Sequence, residues 1–202
     1  MENEYSVKKG LRTSLRESFF GIRPQNISAG TKKICLMGML AALIIVFERT
    51  IYIPVGDSSR YSFSFIMIFV SGMVLGAVDA AIVGAVADVV GAIIAGYSIN
   101  PLITVCVALS AFFCGLLLYS ERSYMRLAIA ILLDQILSNL LLKSAAFAIW
   151  YGGGMHSYPK YFMIRIVQVG IMIPVEFVVL FILNRVFFPR LKKLTMGLTE
   201  NE

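Results

Sequence analysis

Residues 61–97 read YSFSFIMIFVSGMVLGAVDAAIVGAVADVVGAIIAGY, and in these 37 residues Asp79 and Asp88 are the only charged side chains. Apolar blocks of about 18 residues or more with few charges are read as bilayer crossings. At about 1.5 Å per residue the run is far too long for one crossing. The small-residue corner Gly76-Ala77-Val78-Asp79 divides it into two. The stretch therefore reads as helix, corner, helix within a membrane.

The rest of the chain repeats that pattern. It has 202 residues, a mean hydropathy of +0.81, 58% hydrophobic and only 15% charged residues. A soluble domain of this size carries more charge, because its surface faces water. Spans are expected at 33–53, 61–78, 79–97, 102–120, 125–150 and 160–188. Pro54-Val55-Gly56-Asp57 ends the first, Asn100-Pro101 splits the third from the fourth, and Gly152-Gly153-Gly154 ends the fifth. The fold class is an all-α, six-transmembrane-helix bundle over residues 33–190. A cytoplasmic basic segment, 1–32, precedes it and a cytoplasmic tail, 191–202, follows. The 32 mostly polar and basic residues before the first span do not read as a signal peptide.

The net charge of +6 is read by where it falls. Lys8, Lys9, Arg12, Arg16, Arg23, Lys32 and Lys33, then Arg122 and Arg126, then Arg185, Arg190, Lys192 and Lys193 all fall on one side. They make up thirteen of the eighteen cations, against Arg60 and Lys160 in the loops of the other side. The positive-inside rule places both termini in the cytoplasm of a cell whose plasma membrane the chain crosses several times. The cations are thereby explained without nucleic acid. Leu11, Leu15 and Phe19 at fourfold spacing fit either a short helix on the membrane surface or a disordered basic tail.

Catalytic and metal chemistry find little support. Cys35, Cys106 and Cys114 sit within apolar blocks, without metal-site spacing, and read as packing residues. His156 is the single histidine. No Ser-His or Cys-His pairing, H-E-x-x-H or phosphate-binding G-x-x-x-x-G-K-[ST] motif is present. No enzyme activity and no cofactor are expected.

Ionisable groups at membrane depth are costly and need a reason. Glu48 and Arg49 fall near the outer end of the first span, and Asp88 near the middle of the third. Span five carries Asp134, Gln135, Asn139 and Lys143; span six carries Arg165, Gln168 and, deeper, Glu176. Gln135, Asn139, Lys143, Ala146 and Trp150 form one stripe at helical spacing, and Arg165, Gln168, Met172 and Glu176 another. Asp88 lies on the small-residue seam Ala81, Gly84, Asp88, Gly91, Ala95, which should pack inward. Charges weighted to the outer half of three helices describe a solute pocket open to the outside. Ion pairing of Asp88 with Arg165 or Lys143 to hold the bundle is the alternative. The cations suit a ligand with carboxylates, and Asp88 suits adjacent N–H donors on a heterocycle. Tyr61, Phe63, Phe65, Tyr97, Trp150 and Tyr151 offer stacking surfaces or an ordinary interfacial belt.

Three segments carry a family resemblance. Gly76–Ala92 is similar to the Gly-rich second-to-third-helix signature of folate-family S subunits, the specificity subunits of energy-coupling factor (ECF) transporters. Asn139-Leu140-Leu141-Leu142 followed by Tyr151-Gly152 is a second match. Arg165-x-x-Gln168-x-x-x-Met172-x-Pro174-x-Glu176 is a third. The resemblance spans most of residues 33–188 in order. It implies a six-helix subunit that binds folate from outside the cell and works with a transmembrane coupling subunit and two ABC-type ATPases. It implies Asp88 and Asn139 for the heterocycle, Arg49 and Arg165 for the glutamate carboxylates, and Lys143 and Gln168 in support. Lys143 stands where family members often have Asn. Trp150, the stacking candidate, comes a helical turn later than the family's tryptophan. Gly38, Ala41 and Ala42 resemble the family's coupling-subunit surface, or serve internal helix packing. An S subunit for a different vitamin or small metabolite, a membrane scaffold without solute, and a stand-alone carrier without ATPases are the competing functions.

Overall fold

The computed structural model describes residues 27–55, 59–119 and 123–186. The surface helix expected around Leu11, Leu15 and Phe19, the basic residues before position 27 and after 186, and Arg122 lie outside the described residues. The helices are α1 (Ile27–Thr50), α2 (Ser64–Leu75), α3 (Ala77–Ile94), α4 (Pro101–Leu118), α5 (Tyr124–Trp150) and α6 (Tyr158–Val186). Five are long and apolar enough to cross a membrane.

The sixth, α2, has 12 residues, about 18 Å at 1.5 Å per residue and short of a bilayer's roughly 30 Å hydrocarbon core. The span expected at 61–78 is thus shorter than a crossing, because its first residues belong to a different element. Tyr52–Val55 (β1) and Ser59–Ser62 (β2) pair antiparallel, with Tyr52 opposite Ser62 and Val55 opposite Ser59. Pro54 and Val55, expected in a turn, are strand residues; Pro54 is tolerated because a two-stranded ribbon has only edge strands. The hairpin marks one end of the bundle, here the hairpin end, where α1, α3 and α5 finish and α2, α4 and α6 begin.

α2 is the centre of the packing. Eight of its residues are buried, Phe65, Phe69 and Met73 among them, and it contacts α1, α3, α4 and α6. Phe65, Phe69 and Met73 pack with Cys114 and Leu118 of α4, Leu127 and Ile131 of α5, and Leu180 of α6. On the other flank, Ile68 and Leu75 pack with Leu40, Ala41 and Ile44 of α1, Ala80, Val83 and Ala87 of α3, and Ala111 of α4. Cys106 and Cys114 are buried and Cys35 is exposed; all three are free.

The corner between α2 and α3 is built from glycine. Gly76 has φ +88°, a region side chains rarely adopt. Gly115 of α4 lies against it so closely that a Cβ there would sit 2.5 Å from the backbone nitrogen of Ala77. At the hairpin end, the Asn100 side chain accepts a 3.1 Å hydrogen bond from the Leu102 N–H and Pro101 occupies the first turn, fixing the start of α4.

α5 is not a uniform α-helix. Asp134–Leu142 is π-helical, wider than the α-helix on either side. A π-helical stretch inside an α-helix is rare and concentrates at functional sites. This one carries Asp134, Gln135 and Asn139.

Candidate functional site

Polar side chains from α1, α3, α4, α5 and α6 converge on two spaces that share lining residues. The larger, about 530 Å³, opens at the hairpin end and is lined by Glu48, Arg49, Asp88, Tyr97, Asn100, Asn139, Lys143, Phe147, Tyr151, Tyr161, Arg165 and Gln168 among others. That volume suits a small-molecule ligand. A smaller space of about 100 Å³ shares Asn139, Lys143, Arg165 and Gln168 with it and is lined as well by Ser110, Asp134, Gln135 and Glu176.

Each wall has a local cause. Asp88 lies on the glycine seam of α3 and accepts a 2.6 Å hydrogen bond from the Thr104 hydroxyl of α4. That bond spans the close α3–α4 approach at Gly84, where an added Cβ would meet the Val107 carbonyl oxygen at 3.1 Å. Arg49 crosses over Gly91, whose missing side chain leaves it room: an added Cβ would meet the guanidinium at 3.4 Å. Its guanidinium carbon lies 5.4 Å from the Tyr97 ring centroid, and that of Arg165 lies 4.6 Å from the Phe147 centroid. A flat aromatic behind a guanidinium holds the plane and leaves its N–H edge for an anion. Arg49 Nε and Nη1 are buried without a partner among the described residues.

The π-helical stretch sets the rest. Lys143 donates to Asn139 Oδ1 (2.8 Å), and Asn139 donates through Nδ2 to Asp134 Oδ2 (3.3 Å), five residues earlier. Gln135 instead reaches across to α6 and donates to Glu176 Oε1 at 2.6 Å. The single stripe expected from i+4 spacing is thereby split: the wider turn puts Asn139 in line with Asp134 and turns Gln135 toward α6. Neither Arg165 nor Lys143 is within ion-pair distance of Asp88.

Six of the seven expected ligand contacts, Arg49, Asp88, Asn139, Lys143, Arg165 and Gln168, line these spaces. Trp150 does not: it is 48% exposed on the outside of α5. Phe147, three residues and close to one turn earlier, takes the wall position, in tilted contact with Tyr151 and Tyr161 at centroid distances of 5.3 and 6.0 Å. Thr104, Phe147 and Tyr161 were not singled out by the sequence, since nothing in a lone aromatic or threonine distinguishes a wall from a lipid-facing position. Asp134 and Glu176 were visible as intramembrane carboxylates but were not placed in the site. On α1, Gly38 and Ala42 are exposed, while Ala41 is turned into the core.

Comparison with known proteins agrees with this architecture. The family described as ECF-type riboflavin transporter, S component, matches residues 28–193. A solved structure, "Crystal structure of FolT bound with folic acid", superposes with a TM-score of 0.68 at 31% identity, covering 78% of this chain and 95% of that one. No curated protein matches the chain. A family match that runs from the start of α1 past the end of α6, joined to a solved relative sharing nearly a third of its residues, means that the chain belongs to the S-component family of ECF transporters.

Proposed function

We propose that this S component binds folate from outside the cell and presents it for ATP-driven uptake. The carrying observation is the cation-rich cavity. Arg49, Lys143 and Arg165 line it, two of them braced on aromatic rings, and Arg49 has buried N–H groups that no acceptor among the described residues takes. Buried donors left without partners are costly, and a carboxylate-bearing ligand supplies what they lack. Folate carries two carboxylates at one end and a donor-rich heterocycle at the other. The likeness to a FolT structure containing folic acid supports the same ligand.

Riboflavin is the second reading, because the matching family's description names it. Riboflavin is uncharged and has no carboxylate to meet the three cations. Folate is therefore favoured. The hairpin end faces outward in this reading, in keeping with the cation distribution along the sequence. Energy comes from a transmembrane coupling subunit and two ABC-type ATPases. Gly38 and Ala42, exposed on α1 with Cys35, offer a shallow surface for close approach of the coupling subunit's helices; Ala41 acts in internal packing instead.

Native mass spectrometry of the chain purified from cells, alone and with its coupling partners, tests this reading. Retained folate mass is the expected result. A retained flavin, or retention of neither ligand after both are supplied, contradicts it.

A further inference from the structure

The two helices that supply Lys143, Arg165 and Gln168 to the cavity are both irregular, and at the same level. In α6, Pro174 stands inside the helix with Gly170 four residues before it. Proline has no N–H to donate, so the Gly170 carbonyl loses its helical partner, and glycine is itself a weak helix former. Both residues are exposed on the outside of the bundle, and Gly170 has open space around it. In α5 the irregular stretch is the π-helical Asp134–Leu142. Two contacts fix the register of this antiparallel pair: Gln135 meets Glu176, and Phe147 meets Arg165. Interpolating between them sets Gly170 and Pro174 level with residues 137–142, inside the π-helical stretch.

The two sides of this weak belt are packed differently. On the side away from the hairpin end, Leu127, Ile131 and Leu180 are sealed into the core around Phe65, Phe69 and Met73. On the hairpin side the buried positions are Ser144, Ala146, Ala148 and Val169, short side chains that let a helix shift against its neighbour. That part is also bound to itself. The Ser157 hydroxyl donates to the Gly152 carbonyl at 2.7 Å, and Phe147 touches both Tyr151 and Tyr161. Two helix ends and their glycine loop thus form one body, which meets α4 and continues into the core through the belt. Its cavity face carries Lys143 and Arg165, across from Glu48, Arg49 and Asp88 on α1 and α3. Among the described residues no ion pair joins these two walls.

We propose that residues 143–169 are a flap, hinged at the π-helical stretch of α5 and the Gly170–Pro174 turn of α6, and that a carboxylate-bearing ligand closes it. The ligand bridges Arg49 on the fixed wall to Lys143 and Arg165 on the moving one. This rests on the folate reading and adds how the site is occupied. A ligand shifts such an equilibrium only through contacts that it makes better in one state, and contacts to both walls at once exist only with the flap closed.

Distances between spin labels in the full chain test the flap. One pair, Ile94→Cys with Met155→Cys, spans the mouth from α3 to the flap; a second, Ile82→Cys with Ile182→Cys, lies on the other side of the belt. All four side chains are exposed, and the exposed Cys35 is changed to Ser. Without ligand, the mouth distances are expected to be spread more broadly than those of the second pair. Folic acid is expected to shorten and narrow them and to leave the second pair unchanged. Gly170→Ala with Pro174→Ala, which restores the helical hydrogen bond, is expected to narrow the ligand-free mouth distances. It is also expected to weaken folic acid binding by roughly fivefold or more, one glycine-to-alanine helix preference being worth about that factor. Folic acid binding with unchanged mouth distances overturns the flap while leaving folate binding intact, and that result requires no hinge variant to fold. Equal changes at the two pairs, or equal ligand-free widths, overturn the hinge. Indifference to folic acid overturns the folate reading and with it the carboxylate bridge, while the ligand-free widths still decide the hinge.

Discussion

At the scale of single residues, the account rests on the charges that were expensive to place in a membrane. Arg49 and Arg165 are each backed by an aromatic ring, so truncation removes both an anion contact and an oriented fork. Arg165→Ala is expected to weaken folic acid binding by roughly ten- to hundredfold, with Arg165→Lys recovering only part of the loss. Trp150→Ala is expected to leave the affinity nearly unchanged, because that ring lies outside the cavity. Isothermal titration of the three variants checks both statements; a large loss for Trp150→Ala would mean that the wall has been misread. Most of this residue-scale picture was legible in the sequence, since a lone Arg or Asp in an apolar run announces itself. The aromatic partners were not, because Phe147 and Trp150 differ only in which way one helix turns.

At the scale of elements, two local irregularities decide the geometry. The first is the glycine corner, where the close approach of Gly115 to Ala77 lets α4 pass the joint of α2 and α3. Gly115→Val is expected to cost roughly 1–3 kcal/mol or more, read as a lowered melting temperature in detergent, since backbone rather than a flexible side chain stands in the way. Gly38, with open space around it, serves as the control within the same chain. The second irregularity is the π-helical stretch of α5. The small-residue corner could be read directly from Gly76-Ala77, as could five of the six helix spans to within a few residues. The π-helix could not, because hydrophobic periodicity assumes 3.6 residues per turn and the polar stripe fitted that period well enough. The hairpin escaped for a related reason: its four-residue strands carry too little pattern to stand out beside five long apolar helices.

At the scale of the whole molecule, the bundle has a polar interior lined by cations and carboxylates and an apolar exterior with a small-residue face on α1. These belong to different tasks and should separate by mutation. Gly38→Leu with Ala42→Leu is expected to leave folic acid affinity of the isolated subunit intact while abolishing co-purification with the coupling subunit. Loss of both would mean that the α1 surface supports the fold instead. Ligand binding should also register as stability. Folic acid at a hundred times its dissociation constant is expected to add about 2.7 kcal/mol to the unfolding free energy, with riboflavin at the same concentration adding nothing. The central claim, that this S component is a folate receptor, is met most directly by titrating the purified full-length chain with folic acid and riboflavin side by side. Saturable one-to-one binding of folic acid with no heat from riboflavin is the predicted result. Binding of riboflavin with indifference to folic acid would contradict the account.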